Sequence, residues 1–134
     1  MKRTTAAWVR KAEADHIAAT RIGHNIPPLH DVVCFHCQQS AEKYLKALLE
    51  ELGLRVPRTH NLDDVLNLLV PHHSGLRSLR RGLIFLTYFA VETQYPGESA
   101  SKRQAAAALR WEERVRTEVR ALLGIRPPRR KKQP

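Results

Sequence analysis

The chain has 134 residues, the usual size of one domain, and 43% of them are hydrophobic, enough for a single core and too much for a disordered chain. Aromatics make up only 6%, and Ala and Leu dominate the apolar set, a balance that favours helices over a β-sandwich. The formal net charge of +10 leads us to expect an anionic partner, although Arg126, Arg129, Arg130, Lys131 and Lys132 supply half of it from a short basic tail. Residues 126–134 are read as that tail, either disordered and solvated or touching a phosphate backbone, and residues 1–125 as one helical domain.

The first helix is predicted to start after Thr4 or Thr5, either of which suits an N-cap, and to run to about Ile22. Trp8, Ala12, Ala19 and Ile22 share one face, with Asp15 in the middle of the stripe. A carboxylate on an apolar face needs a partner to offset its desolvation. Asp15 is therefore expected to be a buried polar residue, serving as a satisfied structural hydrogen bond or as part of a polar site inside the bundle.

Residues 23–30, with Pro27 and Pro28, break this helix. Asp31 is predicted to cap a second helix that continues to Leu52 and stops at Gly53. At about 100° per residue, Cys34, Cys37, Ala41, Tyr44, Leu45, Leu48 and Leu52 form an apolar stripe, with His36, Gln39, Lys43, Lys46 and Glu50 on the far side. Cys34 and Cys37 lie inside the apolar pattern with no second cysteine pair, so they read as structural thiols rather than a zinc or redox motif. Glu42 and Lys46 form an i,i+4 pair read as a solvated face, with a phosphate-binding strip as the alternative. Phe35 lies on the polar side, where a monomer would have trouble burying it, and is assigned to a homodimer contact.

A short basic connection with Pro57 leads to a third helix from about Asn61 to Leu69 or Val70, with Asp64 at capping-box spacing. After a turn over 71–75, residues 76–90 read as a fourth helix with Leu79, Leu83, Leu86 and Phe89 or Ala90 inward. Pro96 and Gly97 break the chain, and Ser99 is predicted to begin the last helix. Its core stripe is Ala108, Trp111, Val115, Val119 and Leu122, with Glu112 and Arg116 as a surface pair, and Gly124 ends it. Five helices with short connections give an all-α, antiparallel bundle with a four-helix up-and-down core. No signal peptide is expected, and no apolar run approaches the ~18 residues that span a bilayer, so the expectation is a cytoplasmic protein with no membrane partner.

Three segments together resemble the HEPN family, named for its occurrence in higher eukaryotes and prokaryotes and its proposed nucleotide binding. Gln38 through Leu48 is similar to the family's helix pattern of a small residue, then Glu-Lys, then Leu-Lys-Ala. Pro57 through Leu62 resembles its Thr-His-Asp/Asn-Leu junction, and Tyr88 through Gly97 its Arg-Tyr-Pro segment, with Gln94 standing where the family usually has Arg. Trp8 and Asp15 also suit its first helix, so the resemblance spans about residues 5–123.

The resemblance implies a helical bundle that is often dimeric, and two activities. Many members are metal-independent ribonucleases with an Arg-x4–6-His motif and a composite site across a homodimer. Others are noncatalytic partners of a minimal nucleotidyltransferase, commonly in a toxin–antitoxin pair. In the first class a His acts as general acid/base and an Arg stabilises charge developing on phosphorus. Arg55 and His60 fit Arg-x4-His and are the candidate catalytic pair, although they lie on a connection rather than near the start of a late helix. Gln39, Lys43, Lys46 and Arg58 are the candidate nucleotide- or phosphate-binding residues.

No cofactor is expected. No metal is expected either, because the seven histidines show no i,i+4 helical pair and no accompanying carboxylate cluster. The expected function is nucleotide or RNA binding by a homodimer, noncatalytic or accessory to a nucleotidyltransferase. The alternatives are a ribonuclease using Arg55 and His60, and a purely structural interaction subunit.

Overall fold

The computed structural model describes residues 1–91 and 95–127. Gln94 and the tail residues Arg129, Arg130, Lys131 and Lys132 lie outside the described residues. The helices are α1 (Arg3–Ile22), α2 (His30–Glu51), α3 (Leu62–Leu69), α4 (Arg80–Thr87) and α5 (Lys102–Leu122). Short 3-10 turns, Ser74–Leu79 and Tyr88–Ala90, flank α4, and no strand occurs among the described residues. The chain is all-α, as its composition indicates.

Helix α2 packs against α1, α3, α4 and α5. Glu13 and His16 of α1 meet Arg116 and Glu112 of α5 respectively, so α1 and α5 run antiparallel. Ser40 and Tyr44 of α2 reach the same two levels in the same order, so α2 runs parallel to α5. Of the predicted stripe, Cys34, Cys37, Ala41, Tyr44, Leu45 and Leu48 are buried in one core with Leu62, Leu66, Leu79, Leu83, Leu86, Phe89, Val115 and Val119, and Leu52 at its end is half-buried.

Helix starts differ from the sequence reading because partners elsewhere in the fold redirect the capping side chains. The N-cap of α1 is Lys2, not Thr4 or Thr5; the Lys2 N–H donates to Glu51 Oε1 at 3.0 Å and its ammonium to the Glu50 carbonyl at 3.1 Å. Thr5 is buried in the helix and donates to the same Glu51 carboxylate. Helix α2 begins at His30 with Leu29 as N-cap, while Asp31 accepts a hydrogen bond from the Ala100 N–H and anchors the segment before α5. Helix α5 starts at Ser101 rather than Ser99, through a reciprocal capping box with Gln104. Asn61 caps α3 as expected, accepting from the Asp63 and Asp64 N–H groups.

The predicted fourth helix is α-helical only over Arg80–Thr87. At its end the Thr87 hydroxyl donates back to the Leu83 carbonyl at 2.8 Å and accepts the Leu62 N–H at 3.1 Å, so a local back-bond coincides with the change to a 3-10 turn. Gly82 of α4 lies directly against Trp111 of α5, where a Cβ would fall 2.0 Å from the ring. Gly82→Ala should therefore destabilise the fold by about 1–3 kcal/mol through overpacking, read as a lowered urea midpoint by circular dichroism.

Candidate functional site

Polar side chains of α2 enter three networks, two on its flanks and one between α1 and α5. On the first flank, Asp15 is only 8% exposed; His36 Nδ1 lies 2.8 Å from its Oδ1, and the Lys43 ammonium donates to its Oδ2. Asp15 is thus buried and partnered, and the i,i+7 pair His36 and Lys43 reaches across to α1 to hold it.

On the second flank Glu42 gathers three partners. Gln38 Nε2 donates to Oε1 at 3.0 Å, Lys46 Nζ to Oε2 at 3.1 Å, and His60 Nδ1 stands 2.8 Å from Oε1. Gln39 extends the chain by donating to Gln38 Oε1 at 2.6 Å. Glu42 and Lys46 are buried, with Lys46 only 5% exposed and its ammonium 5.9 Å from the Trp8 ring centroid. This overturns the reading of Glu42–Lys46 as a solvated face. Periodicity puts the pair opposite the core stripe, but Trp8 of α1 and the connection carrying His60 cover that side.

The third network links α1, α2 and α5. Glu112 is 1% exposed; His16 Nδ1 sits 2.8 and 3.0 Å from its two oxygens, and Ser40 Oγ donates at 2.9 Å. Burial pushes the Glu112 carboxyl above its ordinary range, against the pull of the His16 charge and the two hydrogen bonds. One turn along α5, Arg116 donates to both oxygens of Glu13, at 2.6 and 3.3 Å, and Tyr44 and Arg120 close the same cluster. Burial raises the Glu13 carboxyl, but the hydrogen bonds from Arg116 and Tyr44 and the Arg116 charge outweigh it and leave the group below its usual range. Burial and the bond to Glu13 push the Tyr44 phenol up to about 12. Glu112 and Arg116 do not form the expected surface pair: Glu112 turns inward and Arg116 goes to Glu13.

Arg55 and His60 are not brought together by any hydrogen bond or ion pair: Arg55 is exposed, and His60 is tied to Glu42. His60 keeps a side chain 63% exposed, with Nε2 unengaged. Within the strip Gln39, Lys43, Lys46 and Arg58, both lysines already neutralise internal carboxylates, which leaves Arg58 as the cation of that strip open to a ligand. Phe35 is half-buried, edge-on to His36 with centroids 5.5 Å apart. Cys34 and Cys37 are buried free thiols; burial raises both, Cys34 to about 12, which keeps them protonated and inert.

Sequence reasoning missed Glu112, His16 and Ser40. The signal was present for Glu112, which falls in the middle of the α5 core stripe as Asp15 does in that of α1. His16, Glu112 and Glu113 also form a group whose potential metal-ligand atoms lie within 4.8 Å of one another, so one histidine does have carboxylates beside it. In that group His16 and Glu112 satisfy each other, and Arg116 stands 3.7 Å from Glu113.

The sequence pattern that defines the HEPN domain matches residues 5–122. The chain belongs to the HEPN family. Two solved structures share its fold. TT1696 from Thermus thermophilus is 22% identical with a TM-score of 0.78, over 90% of this chain and 98% of that one. ST0689, an archaeal HEPN homologue, is 23% identical with a TM-score of 0.73, over 92% of this chain and 99% of that one. No curated protein matches the sequence. Among the described residues no helix is long and apolar enough to cross a membrane.

Two outcomes test these networks. Glu42→Leu strands the Lys46 ammonium in a buried position and should cost about 3–5 kcal/mol, whereas Glu42→Leu with Lys46→Leu should cost clearly less, as measured by urea denaturation. Glu112, with its folded pKa raised, contributes stability below its ordinary value of 4.5 that is lost as pH rises through the folded value. The Tm of Glu112→Gln relative to the parent should therefore climb as pH increases from acid to neutral.

Proposed function

We propose that this HEPN chain binds nucleotide or RNA and acts without catalysis, as a homodimeric accessory to a minimal nucleotidyltransferase of the toxin–antitoxin type. The observation that carries the reading is the division of charge. The interior networks are closed: Asp15, Glu42, Glu13 and Glu112 each hold partners within the chain. Arg3, Arg10, Arg55, Arg58, Arg81, Arg103 and Arg110 are exposed, and none of them enters an ion pair among the described residues. With a net charge of +10, such a surface attracts polyanions. Phe35, half-buried and edge-on to His36, has surface left for a second copy of the chain.

One observation favours a second reading, a metal-independent ribonuclease. Glu42 holds His60 by Nδ1, the arrangement by which a carboxylate orients a general acid/base whose other nitrogen faces substrate. Arg55 and Arg58 lie on the same connection. Incubation of purified protein with labelled RNA in EDTA separates the two. Under the accessory reading RNA or nucleotide is bound, binding weakens with salt, and the RNA stays intact. Cleavage that disappears in His60→Ala would replace this reading with the ribonuclease.

A further inference from the structure

The closed networks on α2 leave open which surface meets the anion. On α5 the inward residues Ala105, Ala108, Glu112, Val115 and Val119 define one face. Arg103, Arg110 and Arg114 recur at seven and four residues on the opposite face, all exposed. With a rise of 1.5 Å per residue they stand about 10 and 6 Å apart along the helix. The neighbouring element adds to the row. Arg114 donates to Ser78 Oγ at 3.4 Å and lies over the Trp111 ring, 5.0 Å from its centroid. Trp111 packs on Gly82, and the exposed Arg81 is the residue next to that glycine on α4.

Glu118, 3.6 Å from Arg114, offsets one of these charges, and no ion pair among the described residues offsets Arg81, Arg103 or Arg110. The groove of about 580 Å³ that Arg110 and Arg114 rim beside the end of α1 is also lined by Glu112 and the exposed Glu113, so a phosphate meets the arginines on the outer side of α5 rather than inside that groove. We propose that the α4–α5 arginine face binds the phosphodiester backbone of RNA without sequence preference. Trp111 is not free to stack on bases, because Gly82 and Arg114 occupy its surroundings; its role is to hold the Arg114 guanidinium in place.

An anionic membrane is disfavoured by what lies between the arginines. On α5 the residues between Arg103 and Arg110 on the outer face are Ala106 and Ala107, too small to insert among lipid chains, and the exposed apolar side chains Ile84 and Tyr88 lie only on the α4 side, beside Arg81. The outer face of α1 carries Arg3, Arg10 and Arg21, also exposed, but with wider gaps and with Ile17 among them. It supplies a control with equal charge removal.

This inference rests on the RNA-binding reading above, and the test keeps the two apart. Binding of a fluorescently labelled single-stranded oligouridine is followed by anisotropy across a salt series in EDTA. Three proteins are compared: the parent chain, Arg81→Gln/Arg103→Gln/Arg110→Gln, and Arg3→Gln/Arg10→Gln/Arg21→Gln, each checked for helicity. The α4–α5 variant should bind at least ~10-fold more weakly at low salt, with its log–log salt slope shallower by about 2, while the α1 variant stays near the parent.

Equal losses in both variants would overturn the inference and leave RNA binding standing as a property of net charge. An unchanged α4–α5 variant would overturn it as well, whereas a parent that binds no RNA would remove the function reading itself. Displacement by a nucleoside monophosphate at matched phosphate concentration would reassign the face to nucleotide. Tighter binding of the parent to phosphatidylserine vesicles than to RNA would reassign it to membrane.

Discussion

Helix α2 is wrapped by four other helices, so most of its circumference leaves water although its sequence is not apolar all round. A helix in that position must find internal partners for every polar side chain it buries, since an unpaired buried polar group costs about 1–3 kcal/mol and a charge more. Gln38, Ser40, Glu42 and Lys46 are all buried, and each is satisfied by a neighbour. Gln38 and Lys46 bond Glu42 within α2, Ser40 bonds Glu112 of α5, Glu42 takes His60 from the connection after α2, and the half-buried His36 and Lys43 hold Asp15 of α1. Apolar packing tolerates a small rotation of one helix against another. A carboxylate held at 2.8 Å by an imidazole does not, so these contacts fix the register of α1, α5 and the 52–61 connection against α2.

The apolar half of the bundle was legible in the sequence because a period near 3.6 residues reports which side chains share a face. Every residue in the α2 stripe from Cys34 to Leu48 is buried, and so are Leu79, Leu83 and Leu86. The polar half was not, because periodicity gives a direction on a helix and says nothing about what covers it. Lys46 faces away from the main core and is buried all the same, beneath Trp8. The i,i+4 relation of Glu112 to Arg116 suggests a pair worth about 0.3–0.5 kcal/mol at a surface, but its place amid Ala108, Val115 and Val119 is the stronger signal. The same signal singles out Asp15, and Asp15 is buried.

The displaced helix starts have the same cause. Capping preferences assume that a Thr or Asp has no better partner than its own backbone. Thr5 bonds Glu51 across the bundle, and Asp31 bonds Ala100 ahead of α5, so both are committed to tertiary contacts that join the ends of distant elements. Where no such partner competes, as at Asn61, the local rule holds.

The closure of the α2 networks also decides how an anion can approach. The Lys43 and Lys46 ammonium groups spend their charge on Asp15 and Glu42, and Lys46 is buried as well. A phosphate beside either lysine meets a cation already neutralised by a carboxylate, which repels the incoming anion, so each lysine attracts it less than an unpaired surface cation does. An arginine such as Arg103 or Arg110 neutralises no carboxylate inside the fold and gives up only solvent. The segment that most clearly marks the family is therefore occupied with its own interior, and the cations available to a ligand are those that the core does not use.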